Sequence, residues 1–503
     1  MGVNCLIFGG NTEYSFKMIS AGPYRIATQL RQSGFTVQVV DVSYYRKFNS
    51  VHKAILKKFV DKDTLWIGFS VNFMNHILGF PYRESRAELE YLWKINPNLD
   101  IEIKKFIEFS KDLNSNLEFV IGGVRLFDLS HLGFFEFRGH TDENIVEFTK
   151  ELSKGNKPNN KIIRNDEYKK FTTSKIFYLK NDILNTYKSL PLEVSRGCIF
   201  KCKFCSFALN GKTKGEWIKN TEVLKEELIY NYENYGITDY TLTDDTYNDS
   251  VDKITALHTD VFSKIPFKIT FGTYLRADLM YRFPHTVDIM VESGLREANL
   301  GLETLNKSAA KIIGKGTDPY LLIEMFQKLK EKQFKNVVTF SSWILGLPGD
   351  TKKSMLEFYN WIISEENPIN NNKFSPLGVR PPNVMDFYMY RSAFDLDYEK
   401  TCKLEFYMSE HGRWLWKSTE TDLDMMYCIE LRDEHGCVLN GTKRKLRSND
   451  RIGGRFQNSS LISLGIDFDD IIHMPAKDAL IKYNISLLSQ QQNLNYIKNL
   501  LTL

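Results

Sequence analysis

Short apolar runs alternate with amphipathic segments over the first 150 residues of the chain. The segment AGPYRIATQLRQSGF places Ile26, Ala27 and Leu30 on one face of a predicted helix, and Gly34 provides its stop. This order of strand, helix and strand is typical of a doubly wound parallel sheet. The apolar runs that we predict as its strands lie at residues 4–8, 36–42, 65–71 and 118–121.

The alternation resumes near residue 192, after the polar stretch KELSKGNKPNNKIIRNDEY. Helical patterns over residues 222–235, 253–262 and 320–332 separate further apolar runs. Six strands within about 200 residues predict a partial (β/α)6 barrel, because a full eightfold barrel usually needs about 250. The six runs are LEVSR, DYTLTDD, FKITFGTYL, REANLGLE, NVVTFSSWILGLPG and VMDFYMYR.

The last hundred residues lose this rhythm and predict a mixed, mainly helical extension. The fold class is therefore α/β, with a doubly wound sheet, a partial barrel and this extension. We predict a Rossmann-type domain over 1–155, a linker over 156–190, the barrel over 191–390, and over 391–503 an extension that is a candidate substrate cap.

Composition narrows the class of protein. The chain is 43% hydrophobic and 25% charged, which excludes a largely disordered protein. Its length of 503 residues is too great for one ordinary hydrophobic core. The net charge of +4 gives no whole-chain argument for nucleic-acid binding. The first residues do not resemble a signal peptide, and no run approaches the roughly 18 apolar residues of a membrane span. An odd count of seven cysteines favours reduced thiols, so we expect a cytoplasmic protein.

Three of the cysteines are closely spaced. Cys198, Cys202 and Cys205 form CxxxCxxC directly after a predicted strand, in EVSRGCIFKCKFCSFALNGKTKG. Scattered buried thiols would show this spacing only rarely. Structural zinc usually has four protein ligands, and no nearby histidine completes such a set. Three thiolates suit an iron–sulfur cluster in which one iron has no protein ligand and is open to chemistry.

This loop resembles the signature of the radical S-adenosylmethionine (radical SAM) superfamily. The resemblance implies that Cys198, Cys202 and Cys205 are the metal ligands and catalytic centre of a four-iron four-sulfur (4Fe-4S) cluster. It also implies that the fourth iron binds S-adenosylmethionine, with Phe204 packing near the adenine. Reductive cleavage of S-adenosylmethionine would then yield a 5′-deoxyadenosyl radical that modifies a substrate.

Polar residues and glycines follow later barrel strands, where such barrels carry their sites. The resemblance implies cofactor contacts at these positions, although helix capping would explain an aspartate there, and a tight turn would explain the glycine. The residues are Asp244, Asp245, Arg276, Glu303 and Gly346.

The N-terminal domain resembles that of the cobalamin-binding branch of the same superfamily. A ligand would lie beyond the carboxyl ends of its strands. No DxHxxG motif occurs in residues 1–150, so no histidine is supplied to cobalt in the usual way, and cobalamin is a candidate cofactor only. Bound cobalamin would imply methyl transfer, and its absence would leave rearrangement or oxidation. The expected contacts are Ser70, Asn72, Gly122, Gly123, Gly139 and His140.

The C-terminal region carries weaker signals. Cys402, Cys428 and Cys437 are too widely spaced to indicate a second cluster, and we predict buried free thiols. The run GTKRKLRSNDR predicts a solvated basic loop, with a phosphate contact as the alternative. The aromatic residues around Trp414 and Trp416 suit either a cap over the barrel or ordinary core packing.

Two functional hypotheses follow from different classes. The first is a radical SAM enzyme with a small-molecule, peptide or lipid-precursor substrate and an external low-potential reductant such as flavodoxin or ferredoxin. The second is a non-catalytic, zinc-stabilised protein that binds nucleic acid through its basic loop. An anaerobic absorbance spectrum, with iron and zinc counted, separates them.

Overall fold

The structure is a computed structural model. It describes residues 2–9, 19–41, 47–71, 77–78, 92–123, 129–165, 171–183, 189–207, 209–381, 391–410, 412–435, 438–439 and 485–502.

The N-terminal sheet has six parallel strands in the order β2-β1-β3-β4-β5-β6. This is the flavodoxin-like order with one added strand, and its direction reverses between β1 and β3. The predicted doubly wound fold is therefore confirmed. The strands are β1 Cys5–Gly9, β2 Val37–Asp41, β3 Trp66–Ser70, β4 Glu118–Gly123, β5 Phe134–Gly139 and β6 Ile162–Asn165.

Helices cover both faces of this sheet. Alternate residues of β1 point to opposite sides, so Cys5 and Ile7 enter one core while Leu6 and Phe8 enter the other. This two-sided burial explains why the strands are apolar runs without alternation. Helices α1 and α4 pack on the first face, and α2 and α3 on the second. The helices are α1 Ala21–Gln32, α2 Ser50–Phe59, α3 Ile101–Leu113 and α4 Asn144–Ser153.

The N-terminal sheet continues past residue 155, where the sequence placed its end. The added strand β6 pairs with β5 inside the segment predicted to be a linker. Further along, Ile176 and Tyr178 are fully buried, and the Phe177 backbone N–H donates to Thr28 Oγ1 at 3.0 Å. The predicted linker is thus wrong in part, because a short edge strand among polar residues leaves little apolar pattern.

The second sheet contains six parallel strands, β7 to β12, in sequential order. The two-residue strand β15, Val438–Leu439, adds antiparallel to β12. This arrangement confirms the predicted partial (β/α)6 barrel. Its strands are β7 Ser189–Leu192, β8 Asp239–Leu242, β9 Thr270–Leu275, β10 Leu295–Glu303, β11 Val338–Leu345 and β12 Asn371–Pro376.

Helices accompany the barrel strands along the chain. The longest, α6, begins after Asn220 and ends at Gly236, whose left-handed φ of 65° is the usual helix stop. The set comprises α5 Lys180–Ile183, α6 Thr221–Tyr235, α7 Val251–Ala256 with a π-helical turn at Leu257–Phe262, α8 Ala277–Arg282, α9 His285–Glu292, α10 Lys307–Ile312, α11 Pro319–Glu331 and α12 Lys352–Ile362.

The sixth barrel strand is not the one that the sequence predicts. Strand β12 has the sequence NNKFSP, whereas the predicted run VMDFYMYR lies, apart from Arg391, outside the described residues. The buried Asn372 of β12 is satisfied from a neighbouring strand, because its Oδ1 accepts a hydrogen bond from Trp343 Nε1 at 2.8 Å. A polar strand stabilised in this way has no apolar signature.

The C-terminal part of the chain packs against both the barrel and the N-terminal domain. Trp416 in β14 is buried and donates to the Leu377 carbonyl at 2.8 Å, so it is a core residue. The last helix, α16, packs against α2 of the N-terminal domain through Tyr496 and Leu500. Within the described residues, no helix has the length and apolar character to cross a bilayer. The elements are α13 Ala393–Leu396, α14 Tyr398–Thr401, β13 Leu404–Met408, β14 Trp414–Ser418, α15 Met425–His435 and α16 Ile485–Thr502.

Candidate cluster and cofactor site

Cys198 lies in a rigid turn after β7. Gly197 has a φ of +75°, and a Cβ there would lie 2.8 Å from the Leu209 carbonyl oxygen, so only glycine fits. The Gly197 N–H donates to Asp245 Oδ2 at 3.0 Å. The Cys198 N–H donates to the Leu209 carbonyl, and the Cys198 carbonyl accepts from Gly211 at 2.7 Å. Both sides of the turn therefore hold this cysteine in place.

Cys202 and Cys205 lie at the more exposed tip of the same loop. The backbone between them is anchored to two other elements: Lys203 donates to the Ile313 carbonyl at 3.2 Å and accepts from the Phe394 N–H at 2.9 Å. The Cys205 N–H donates to the Cys202 carbonyl at 3.0 Å. The loop thus presents the three thiols from a backbone held by the ends of α10 and α13.

Hydrogen-bond donors surround these sulfurs. Arg276 Nη1 donates to Cys202 Sγ at 3.1 Å, and the Phe200 N–H donates to Cys198 Sγ at 3.5 Å. Burial raises the pKa of the Cys198 thiol, and burial raises the pKa of Cys205 to about 11. Iron ligation removes these protons, and donors aimed at sulfur then stabilise the thiolates. The donor set therefore fits an anionic iron–sulfur cluster.

The number of thiols on the loop favours a cluster over a structural zinc ion. Among the residues that the structure describes, no three Cys, His, Asp or Glu side chains are grouped closely enough to share one metal ion. A structural zinc needs four ligands around a single centre, whereas each cysteine of an iron–sulfur cluster binds a different iron. Three thiols on one loop suit a cluster in which one iron has no protein ligand.

Arg276 contacts the cluster loop directly. Its guanidinium lies 3.8 Å from the Phe200 ring centroid and donates to Asp278 Oδ1 at 2.9 Å. Burial alone would lower the pKa of Arg276, but its hydrogen bond and charge pairing with Asp278 outweigh this and raise it. The cation is therefore permanent. The sequence expected Arg276 to contact the bound cofactor, and the structure places it against Cys202, while contact with S-adenosylmethionine stays a prediction.

Asp244 and Asp245 support the loop from β8. Asp244 is fully buried and accepts from the backbone N–H groups of Val194 and Ser195, both at 3.3 Å. Burial, followed by the charge of Asp244, raises the pKa of Asp245 to about 6. Neither aspartate caps a helix, because the N-cap of α7 is Ser250. Both therefore anchor the turn before Cys198, and a cofactor contact for either stays a prediction.

Glu303 and Phe204 are two further residues for which the resemblance implies contacts with S-adenosylmethionine. Glu303 ends β10 with a left-handed φ of 70°, and its Oε1 is 3.7 Å from Lys315 Nζ. A non-glycine residue in this conformation is strained, which is common at functional sites. Phe204 is half-buried and packs against the barrel core. Their predicted contacts with S-adenosylmethionine remain predictions.

Gly346 has a packing reason for being glycine. It has a φ of +84°, and a Cβ there would lie 2.9 Å from Trp416 Cζ2 and 3.1 Å from Cys428 Sγ. The side of Gly346 that a side chain would occupy is thus filled by the C-terminal extension. Cys428 and Cys402 are buried free thiols, as the sequence predicts, whereas Cys437 and the basic run at 441–451 lie outside the described residues.

The carboxyl edge of the N-terminal sheet carries small residues where its strand order reverses. Ser70 and Gly122 are register partners at the ends of β3 and β4. Gly22, in the first turn of α1, has only Ser70 Oγ within 4 Å of the position of a Cβ, at 3.7 Å. Gly123 ends β4, and the expected contact at Asn72 lies outside the described residues.

A charged junction joins this edge to the cluster loop, and the sequence did not reveal it. His140 and Asp142 follow β5, and both contact Arg196, which follows β7: Arg196 Nη1 is 3.1 Å from His140 Nδ1 and 3.3 Å from Asp142 Oδ2. The carboxyl ends of two parallel strands, one from each sheet, therefore meet. One signal was available in the sequence: Arg25, which lies 3.8 Å from Asp142, is a charged residue on the apolar face of α1.

Comparisons with known proteins agree with this geometry. Residues 192–362 match the sequence profile of the Radical SAM superfamily. This part of the chain is a radical SAM domain. This radical SAM chain is an enzyme, and its family uses a 4Fe-4S cluster and S-adenosylmethionine. The assignment replaces the zinc-stabilised nucleic-acid hypothesis.

Solved radical SAM structures resemble the whole fold of this chain. The S-adenosylmethionine methyltransferase TsrM of Kitasatospora setae, solved with tryptophan substrate and a SAM analogue, has a TM-score of 0.62 at 12% identity over 96% of this chain and 99% of its own. The cobalamin-dependent enzyme OxsB, solved with aqua-cobalamin and S-adenosylmethionine, has a TM-score of 0.54 at 15% identity over 80% of this chain and 56% of its own. These likenesses concern the fold.

One curated relative matches by sequence. An uncharacterized methyltransferase of Pyrococcus horikoshii is 26% identical to this radical SAM chain over 275 residues. The match covers 49% of this chain and 58% of the relative, so the two proteins correspond over about half their lengths.

Proposed function

We propose that this radical SAM enzyme is a cobalamin-dependent methyltransferase that modifies a polar substrate held in its barrel. The observation that carries the proposal is the junction at Arg196, which brings the carboxyl end of β5 against the loop after β7. In doubly wound sheets and barrels alike, ligands bind at the carboxyl ends of the strands. A cofactor on the first sheet would therefore lie next to the cluster loop of the second.

The small residues of the N-terminal edge fit a large cofactor. Gly22, Ser70 and Gly122 keep this edge free of bulky side chains at the point where the strand order reverses. The absence of a DxHxxG motif means that the lower face of cobalt would not receive a histidine from that motif. The fold likeness to TsrM and OxsB, which were solved with cobalamin, supports the same placement.

The cysteine loop would hold the cluster, and the surrounding residues would orient it. Cys198, Cys202 and Cys205 would each ligate one iron, with Arg276 neutralising charge at Cys202. When bound, the cluster and S-adenosylmethionine would supply the reductive cleavage chemistry, and cobalamin would supply the methyl carrier. Electrons would come from an external flavodoxin or ferredoxin in a reducing compartment such as the cytoplasm, in keeping with the six free thiols among the described residues.

The interior of the barrel favours a polar substrate. Glu297 and Asn299 are both buried on β10, two positions apart and therefore on the same face of the strand. A Cβ at Gly272, the register partner of Glu297 on β9, would meet Glu297. Gly272 lies on the same face as Arg276, which contacts the cluster loop, so this is the inner face of the barrel. Asn299 Nδ2 donates to Glu297 Oε1 at 3.1 Å, and Asn299 Oδ1 has no hydrogen-bond partner in the described part of the chain. A buried acceptor of this kind suits a substrate hydroxyl, amide or ammonium group.

Anaerobic reconstitution tests the proposal. The protein is loaded with iron, sulfide and hydroxocobalamin, desalted, and reduced with S-adenosylmethionine. We expect wild type to retain corrinoid in its visible spectrum and to form 5′-deoxyadenosine or S-adenosylhomocysteine. Cys202→Ala should lose both nucleoside products but keep the corrinoid. Gly22→Leu should lose corrinoid and keep iron, whereas Gln32→Leu at the exposed end of the same helix should lose neither.

Two results would contradict the proposal separately. A wild-type protein that loads iron but retains no corrinoid would remove cobalamin from the mechanism. An iron-loaded protein that leaves S-adenosylmethionine intact under reduction would remove the enzymatic assignment of the cluster.

A further inference from the structure

Four charged side chains form a closed ring where the N-terminal domain meets the barrel. Arg25 pairs with Glu193 and lies 3.8 Å from Asp142. Arg196 donates to Glu193 at 2.6 Å and to Asp142 at 3.3 Å. Each arginine thus touches both acids, and each domain contributes one arginine and one acid. Two of the four contacts cross the junction.

Three members of the ring are buried, the side chain of Arg196 is 17% exposed, and the charges balance. Arg25 is 2% exposed, Asp142 is 6% exposed and Glu193 is 8% exposed. Burial alone would raise the pKa of Asp142, but the charges of Arg196 and Arg25 outweigh burial and lower it. The Phe171 ring lies 5.8 Å from the Arg25 guanidinium and 5.0 Å from that of Arg196. Paired charges in such a dry site hold one geometry, because any displacement leaves a buried charge unpaired.

Arg196 connects this ring to the first cluster cysteine, two positions further along the chain. Its backbone N–H donates to the Trp217 carbonyl at 3.0 Å, and its carbonyl accepts from Lys212 Nζ at 2.7 Å. The following residue, Gly197, is held by Asp245. The side chain of Arg196 is therefore tied to the N-terminal domain, and its main chain begins the turn that carries Cys198.

We propose that Arg196 is a positioning residue that sets the cluster loop against the carboxyl edge of the N-terminal sheet. The inference goes beyond the proposed function, and it rests on that function only for the identity of the loop as a cluster loop. Arg196 acts through Cys198, and it holds the distance between the two sites at which cofactors would bind.

The chain itself supplies a matched control. Arg138 also binds a buried carboxylate, with Arg138 Nη2 and Glu136 Oε2 at 2.6 Å, and its side chain is 21% exposed against 17% for Arg196. This pair lies wholly within β5, so it does not cross the junction. Arg138→Gln therefore removes a similar ion pair without touching the barrel.

Thiol labelling of the metal-free protein tests the proposal without any cofactor. Alkylation by N-ethylmaleimide is followed for each cysteine by peptide mass spectrometry. In Arg196→Gln the Cys198 rate should rise at least about fivefold, which corresponds to a local opening made easier by roughly 1 kcal/mol. Arg196→Lys should give a smaller rise, because it keeps the positive charge. Some rise should remain, because an ammonium cannot bridge two carboxylates as a guanidinium fork does. Cys5 and Cys428, both fully buried, should label as in wild type.

Several outcomes would overturn the proposal. These are an unchanged Cys198 rate in Arg196→Gln, an equal rise in Arg138→Gln, or a rise at Cys5 and Cys428 that reveals general unfolding. Asp142→Asn should act in the same direction as Arg196→Gln, and the double variant should show less than the sum of the two effects.

The loaded protein provides a second readout. The electron paramagnetic resonance signal of the reduced cluster should differ from wild type in Arg196→Gln, with and without S-adenosylmethionine, and should be unchanged in Arg138→Gln. If wild type forms no cluster, the proposed function fails while the labelling result stands. If wild type forms the cluster and Arg196→Gln matches it in both readouts, the positioning role fails and the proposed function stands.

Discussion

Replacing Gly346 by alanine tests whether packing explains a glycine for which the family resemblance implies a cofactor contact. Gly346 has a φ of +84°, and the new Cβ would press against Trp416 and lie 3.1 Å from Cys428 Sγ. Gly349 has a similar φ of +88° but nothing within 4 Å of the same position. Gly349→Ala therefore carries the backbone strain of Gly346→Ala without the steric clash.

The two effects can be given magnitudes. An L-residue in the left-handed region costs about 1–2 kcal/mol, and overpacking a filled core costs typically about 1–3 kcal/mol more. We expect Gly349→Ala to lose about 1–2 kcal/mol of unfolding free energy and Gly346→Ala about 2–5 kcal/mol in total. At roughly 2–4 °C per kcal/mol for a domain of this size, Gly346→Ala should melt about 2–12 °C below Gly349→Ala.

Scanning calorimetry of the two variants and wild type measures this difference. A second variant isolates the clash. In a Trp416→Phe background, which removes the indole atoms nearest Gly346, the added cost of Gly346→Ala should fall toward that of Gly349→Ala, with only the Cys428 Sγ contact remaining. Equal melting temperatures for the two single variants would refute the packing explanation. So would a cost of Gly346→Ala that does not depend on residue 416.

Three further predictions concern the cluster and pH. Cys202→Ala should reduce bound iron from about four atoms per chain to nearly none. Cys5→Ala, at a buried cysteine in β1 of the N-terminal sheet, should keep it, and equal iron in both would contradict the ligand assignment. Arg276→Gln should make the cluster potential more negative in a redox titration, because it removes a charged donor to Cys202 Sγ, whereas the exposed Arg282→Gln should leave it unchanged. Burial lowers the pKa of His52 from 6.5 to about 4. The unfolded chain therefore binds a proton that the folded chain does not, so stability is full above pH 6.5 and is lost as the pH falls toward 4. His52→Gln should flatten this slope in urea unfolding at pH 7 and pH 5, and an unchanged slope would exclude His52 as its source.

Local pattern was sufficient for the architecture and for the cluster loop. Most strands of the two sheets are mainly apolar runs, and helices repeat their apolar positions with their own period, so both sheets apart from β6 and β12 could be predicted without tertiary information. CxxxCxxC is likewise a local spacing, because Cys198, Cys202 and Cys205 need only one loop to come together.

Elements with polar sequences could not be predicted in the same way. Strand β12 contains three asparagine or lysine residues in a row, and Asn372 is buried only because Trp343 of the neighbouring strand donates to it. Strand β6 lies at a sheet edge, where few apolar residues are needed. The apolar periodicity of these two strands is weak, because contacts with neighbouring strands stabilise them more than burial of their own apolar side chains does.

The roles of the polar residues were decided by tertiary structure alone. The resemblance implies cofactor contacts for Asp244 and Gly346, and these stay predictions. Only the structure shows that Asp244 accepts hydrogen bonds from the loop before Cys198 and that Gly346 makes room for Trp416. The ring that joins Arg25 to Arg196 could not be foreseen, since it unites residues far apart in the chain. Such contacts depend on how the two sheets pack against each other, and the local periodicity of the sequence contains no information about that packing.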